Sequence, residues 1–419
     1  MKKIATLVLA LVLLAAGVGL IGATVAASRA FGNSLIVDGA TRQAALETAQ
    51  AALPASGWES ARLTLYAHSY LFLAGGLILA LLGIWLYARF NRQSAASQKV
   101  VKALLTDYRP ILILLLVTAV FSCLHARFFT LGNFTNILKQ VSHYAVLAAG
   151  VYFAILLGGI DISVGSVLAF SGAMAAFIIQ SMPDNPWSAL WAVLAALVIG
   201  AASGVMNGFF IARCGLQPMI VTLAAMSIFR GATLVLTSGA AIPLSKKLAG
   251  ASSFIAFGQQ SVLDGYLPVP IILMAVVYAV VYYFLNQTSF GRHMYAIGGN
   301  EEASLLSGIH VVRTKILAYT ASGLLAGVAG IIVTARVASA TPTAGEGYEM
   351  DAIAAVVIGG TSLRGGEGKV LYTLIGALII GMLNNILNLT NVSAYYQTIV
   401  KGIVILLAVL LDARSAGKK

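Results

Sequence analysis

The chain has 419 residues, of which 59% are hydrophobic and 10% charged, and its formal net charge is +12. A mean hydropathy of +0.92 excludes a water-soluble globular domain, where charged residues make up about a quarter of the chain. The excess of basic residues falls at the ends of apolar runs, as the positive-inside bias of membrane proteins requires, which argues against a nucleic-acid footprint.

The apolar runs are continuous rather than alternating, so they fit helices of about twenty residues, each able to cross a ~30 Å hydrocarbon core. The first covers about 4–27, after Lys2 and Lys3. It is about twice the length of a signal-peptide core, which favours a retained helix over a cleaved leader despite the cut site offered by VAAS. A polar stretch over 28–68, a second span over 69–88 and the basic linker RFNRQSAASQK follow. Residues 1–100 are therefore expected to be an N-terminal extension, two helices with an outward loop, ahead of a transmembrane core over 101–419.

Ten further hydrophobic segments are expected in that core, at about 110–128, 140–157, 164–182, 187–212, 217–237, 268–286, 315–337, 349–362, 370–389 and 394–412. The eighth is short, which suits a re-entrant segment. With the N-terminus inside, 16 of the 26 basic residues are cytoplasmic, seven are outside, and Arg230, Arg336 and Lys401 lie within or at the edge of spans. Both termini are thus assigned to the cytoplasm. The fold class is an all-α polytopic membrane protein. Cys123 and Cys214 fall toward opposite faces, so no disulfide is expected between them. Neither they nor His68, His125, His143, His293 and His310 show metal-ligand spacing.

The junction LGGIDISVG (157–165) recurs loosely as IGGTSLRGG (358–366). Gly158, Gly159, Asp161 and Gly165 mark the first glycine-rich break, Gly359 and Gly360 the second. Duplicated broken helices belong to transport folds built from repeats; chance similarity in a glycine-rich chain is the alternative. Between the two breaks stands GGNEEASLLSGI (298–309), a polar, acidic interruption. Asn300 is suited to an N-cap, Glu301 and Glu302 to the first turn of a helix dipole, and Gly308 to a left-handed C-terminal cap. Leu305, Leu306 and Ile309 can then form an apolar patch on a two-turn cytoplasmic helix, either an ordinary loop or a knob for a groove on another protein.

Side-chain amides and hydroxyls able to face a wet passage are Asn207, Thr222, Asn384, Asn385 and Gln397; interhelical hydrogen bonding is the other reading of each. Glu346, Glu349 and Asp351 are expected as an acidic patch at the outer mouth, and Lys246 and Lys247 in the largest outer loop. GGEGKV (365–370) is not a phosphate loop, because Leu363 stands where a glycine is needed and Val370 where Ser or Thr is needed.

The stretch GRHMYAIGGNEEASLLSGI resembles the cytoplasmic loop of ABC sugar-importer permeases of the ribose/galactoside branch. So do LGGIDISVGSVLAFSGA (157–173), PTAGEGYEMDAIAAVVIGGTSLRGGEGK (342–369) and NNILNLTNVSAYYQTIVKGIVILLAVLLD (384–412), the last two looking most like ribose permeases. The resemblance covers about 105–415; the first hundred residues depart from the usual pattern. It implies a type II-like permease core of about ten segments. It also implies a coupling helix at Asn300, Glu301, Glu302, Leu305, Leu306 and Gly308, docking on a separate ATPase subunit that holds ATP and Mg, with no cofactor in this chain. A second permease copy forming a homodimer, and an extracytoplasmic sugar-binding protein, are further implied partners. Lys246, Lys247, Glu346 and Glu349 are the residues available for docking that protein. The location implied is the bacterial inner membrane and the cargo a monosaccharide, ribose or a related sugar. The competing reading is an ion-gradient-driven secondary transporter, which the lack of a chain of membrane acids counts against. A membrane enzyme would need a convergent nucleophile, acid–base pair or metal site, which the sequence does not offer.

Overall fold

The computed structural model describes residues 108–416 apart from 126, 129 and 263–266; the expected two-helix extension over 1–100 lies outside them. In chain order the elements are α1 Arg109–Leu124, α2 Leu131–Leu156, α3 Val164–Ser181, α4 Ser188–Ala212, α5 Pro218–Thr237, β1 Ile242–Pro243, α6 Ala251–Gln259, β2 Ser261–Val262 and β3 Leu267–Pro268. Then come α7 Val269–Gln287, α8 Ser289–Gly299, α9 Glu301–Leu306, α10 Val311–Val337, β4 Ser339–Ala340, α11 Tyr348–Ile358, α12 Val370–Leu389 and α13 Ala394–Ala416. Among the described residues six helices, α3, α4, α5, α7, α10 and α12, are long and apolar enough to cross a membrane. The protein is an all-α polytopic membrane protein.

Local chemistry sets many of the helix ends. Proline stands in the first turn of α1, α5 and α7, where its missing N–H leaves no intrahelical bond unmade. Gln217, directly ahead of Pro218, is extended, as a residue before proline prefers. α5 and α10 each end on a left-handed residue, Ser238 and Ala338. α11 has eleven residues, about 16 Å of helix, which is too short to cross a ~30 Å core.

The described chain forms two compact units. The smaller comprises α1 and neighbouring parts of α2, α12 and α13. Within it Asn133 and Asn385 exchange a reciprocal pair of amide hydrogen bonds, both 2.9 Å. Thr118 donates to Leu114 O at 2.7 Å, and Phe121 stacks edge-on against Phe128.

The larger unit holds the rest. Its densest packing is between α4 and α10, where small residues let two backbones approach. A Cβ added at Gly204 would lie 2.6 Å from Thr320 Cα, and one at Gly323 would lie 2.8 Å from Gly204 N. Without water to drive apolar helices together in lipid, such close backbone contact is what holds them. An apolar cluster on α3, α4, α6 and α10, including Ala176, Ile179, Ala196, Phe254, Ile255 and Ala335, fills the remaining space. β1 pairs antiparallel with β4, Ile242 opposite Ala340, which ties the segment after α5 to the segment after α10.

Candidate functional site

The acidic interruption is a helix with a built start and stop. Asn300 is extended (φ −161°) and its Oδ1 accepts the Ala303 N–H at 2.9 Å, while Ser304 Oγ donates to Asn300 O at 2.8 Å. Glu301 and Glu302 occupy the first turn of α9, where the helix dipole favours negative charge. Gly308 closes the helix at φ +83°, with Ile309 N donating to Ser304 O at 3.1 Å. The helix turns its leucines outward: Leu305 is 63% and Leu306 89% exposed. Beside Leu305 lies an apolar cavity of about 580 Å³, bordered by Ile309, Val312, Ile316 and Leu317. Glu301 takes both carboxylate oxygens to Lys315 at 2.7 Å, fastening α9 to the first turns of α10. Lys315 is the member of this group that the sequence did not suggest.

Gly298, in the last turn of α8 just ahead of α9, touches both glycine breaks. A Cβ at Gly298 would overlap Leu156 O and lie 2.5 Å from Gly366 N. Gly366 N donates to Leu156 O at 2.9 Å. Tyr295 of α8 donates to Gly368 O at 2.9 Å, so in its 2.9 Å contact with Tyr152 of α2 the Tyr152 hydroxyl is the donor. The breaks that the sequence paired by likeness therefore meet in space, at the foot of the acidic helix.

The first break continues into a buried polar network. Gly158 is left-handed (φ +77°), and the chain turns there toward α3. Asp161 is 1% exposed; Oδ1 accepts from Ser163 N at 3.1 Å and Ser163 Oγ at 2.6 Å, and Oδ2 accepts from Ser322 Oγ of α10 at 2.8 Å. Asn207 of α4 donates to Ser163 Oγ at 2.9 Å, and Thr222 of α5 donates to Ile160 O at 3.1 Å. Four helices thus share one carboxylate-centred knot. Asn207 Oδ1 and the Tyr319 hydroxyl are buried in this neighbourhood without a partner among the described residues. Gly165, one turn further, carries the Gly345 carbonyl and the Glu349 carboxylate, which a Cβ there would overlap. In the second break Gly359 packs on Tyr372 O, and Gly360 is left-handed (φ +84°).

Four of the five residues expected along a passage make hydrogen bonds to other elements. Asn207 and Thr222 are buried in the knot, Asn385 pairs with Asn133, and Gln397 donates to Asn388 Oδ1 and Val392 O, both at 2.9 Å. Asn384 is buried, its Oδ1 without a partner among the described residues.

The expected acidic patch is not assembled as one surface. Glu346 is exposed, Glu349 is half-buried against α3, and Asp351 is buried and paired with Lys401 at 2.9 Å. This pairing supplies the basic residue Lys401, expected within or at the edge of a span, with an acid partner. Arg230 satisfies itself differently, donating through Nη1 to Pro342 O at 2.6 Å and Ala344 O at 2.9 Å. Lys246 and Lys247 are exposed just after β1.

A family described as branched-chain amino acid transport system / permease component matches residues 133–409. The chain belongs to this permease family. The permease is 49% identical over 312 residues to the ribose import permease protein RbsC of Escherichia coli (strain K12), covering 74% of this chain and 95% of that one. It is 48% identical over 307 residues to RbsC of Bacillus subtilis (strain 168), with 73% and 92% covered. It is 39% identical over 307 residues to the D-allose transport system permease protein AlsC of E. coli (strain K12), with 73% and 91% covered. No solved structure matches the permease.

Proposed function

We propose that this permease is the membrane-spanning subunit of an ATP-driven ABC importer for a monosaccharide, ribose or a related pentose or hexose. On this reading it sits in a bacterial inner membrane with both termini cytoplasmic, beside a second copy of itself. A separate ATPase subunit binds ATP and Mg and docks on α9, and an extracytoplasmic binding protein delivers the sugar.

The observation that carries the reading is the acidic helix. It is capped at both ends, exposes Leu305 and Leu306, and is fixed through Glu301 and Lys315 to α10. A helix of six residues is marginal alone, so a chain that builds one on a membrane surface and turns its leucines outward presents a knob for a groove. Its foot at Gly298 touches both glycine breaks, which supports transmission from the knob to the membrane interior. Near-half identity to ribose import permeases supports the choice of cargo.

The test is uptake of labelled D-ribose into proteoliposomes, with and without the partner ATPase and binding protein. Uptake is expected only with all three and ATP. Full uptake by this chain alone, driven by an ion gradient, overturns the reading in favour of a secondary carrier. In a detergent pull-down from native membranes, the ATPase should accompany the wild type and be depleted with Glu302→Lys.

A further inference from the structure

Resting on the sugar-importer reading, we propose that Arg230 and Glu349 form a binding station for sugar hydroxyls inside the permease, one that discriminates among polyols independently of the binding protein. Three observations meet here. First, Arg230 lies twelve residues into α5, about 18 Å along its axis, where an ionisable group is expensive unless it is partnered or functional. Both of its hydrogen bonds in the structure, to Pro342 O and Ala344 O, come from the single nitrogen Nη1. A guanidinium has five N–H donors, so Nη2 and Nε are left to offer a fork to something else.

Second, the loop it holds doubles back onto α3. Gly345 and Gly347 are both left-handed (φ +73° and +78°), and the Gly345 carbonyl and the Glu349 carboxylate rest on Gly165, the only residue type that leaves room for them. Glu349 Oε1 accepts the Gly347 N–H at 3.2 Å. The carboxylate lies in the first turn of α11, where the helix dipole favours a negative charge, and its Oε2 rests against Gly165.

Third, the two opposite charges are near neighbours that do not close on each other. Arg230 is close enough to act electrostatically on Glu349, yet among the described residues no ion pair or hydrogen bond joins the two side chains. Thr343, Glu346 and Gly347 on the same loop are exposed, so the group can be reached from outside the chain. A donor fork on α5 and an acceptor carboxylate at the start of α11, joined by an accessible loop, match adjacent hydroxyls, each of which donates one hydrogen bond and accepts others. Glu349 is the acceptor for a vicinal diol. Arg230 is the donor to a hydroxyl or ring oxygen, and it also positions the loop.

The experiment uses the full complex in proteoliposomes with D-ribose, D-allose and L-arabinose as probes at saturating binding protein. Glu349→Gln and Arg230→Lys should each lower ATP-driven uptake of at least one sugar about tenfold and change the order of preference among the three, since a site built to hydrogen-bond a hydroxyl discriminates through unpaired groups. ATP hydrolysis stimulated by binding protein should persist, so that turnover becomes uncoupled from uptake. Both variants matching wild type for all three sugars overturns the station while leaving the importer reading intact. Absence of ATP-driven uptake by wild type overturns the importer reading itself.

Should the Glu349 variant fail to assemble, Thr343→Cys, in a background with Cys123 and Cys214 replaced by serine, supplies the answer. D-ribose should slow its modification by a charged thiol reagent, and glycerol at equal concentration should not. A rate indifferent to both overturns the proposal.

Discussion

The permease places carboxylates in two opposite settings. On α9, Glu301 and Glu302 are exposed at a helix N-terminus, one of them paired with the partly buried Lys315. Inside the larger unit, Asp161 is shut away from solvent and held by three donors from Ser163 and Ser322, and Asp351 is buried against Lys401. The contrast separates two uses of the same functional group. An exposed ion pair is screened and contributes little to stability, so the acids of α9 are free to be shaped by what docks there. A buried carboxylate costs several kcal/mol in lost hydration unless it is fully bonded, so Asp161 and Asp351 act as fasteners whose removal loosens whole helices.

The sharpest way to break the contrast is Asp351→Ala. It leaves the Lys401 ammonium without its carboxylate and should destabilise the protein by about 3 kcal/mol or more, read as a drop in melting temperature by fluorescence-detected size exclusion. Adding Lys401→Met should recover much of that loss; no recovery would mean that the pair is not what Asp351 stabilises. Next, Gly204→Val drives a side chain into the backbone of α10 and should cost about 1–3 kcal/mol by the same assay. Asp161→Asn keeps an acceptor but adds an amide N–H that must find its own partner, at about 1–3 kcal/mol, whereas Asp161→Ala orphans Ser322 and should be worse. On the other side of the comparison, Asn300→Ala removes the N-cap and should cost about 1 kcal/mol, seen as faster amide exchange at 301–303 with little change in melting. Smallest is Glu301→Gln, expected below about 1 kcal/mol. A large loss of stability from Glu301→Gln would erase the distinction between surface and interior.

Much of the helical layout is legible from apolar runs. The expected 164–182, 187–212, 217–237 and 370–389 become Val164–Ser181, Ser188–Ala212, Pro218–Thr237 and Val370–Leu389. The start of α2 is not: it begins at Leu131, nine residues before the expected 140. Asn133, Asn136 and Lys139 interrupt the hydropathy there, and only the distant Asn385 shows why an asparagine is tolerated. The short α6 and α8 are hidden because nine and eleven residues are averaged away in a span-length window. The caps of α9 were readable because capping is local, settled within four residues. The knot at Asp161 was not, because Ser322 stands 161 residues away along the chain. The partners of Arg230 and Lys401 share that property. Sequence periodicity reports which way a residue faces, not which residue it meets.

The glycine seam between α4 and α10 has a mechanical consequence. Where two helices touch through side chains, they can shear past each other as rotamers adjust. Here Gly200, Gly204 and Gly323 bring main chain against main chain, so there is no compliant layer to absorb a shift and sliding meets immediate overlap. The two helices are therefore a single stiff strut, with α9 bolted to one end through Lys315. A seam of this kind resists sliding more than a side-chain interface does, and the left-handed turns at Gly158, Gly365 and Gly366 lie outside it.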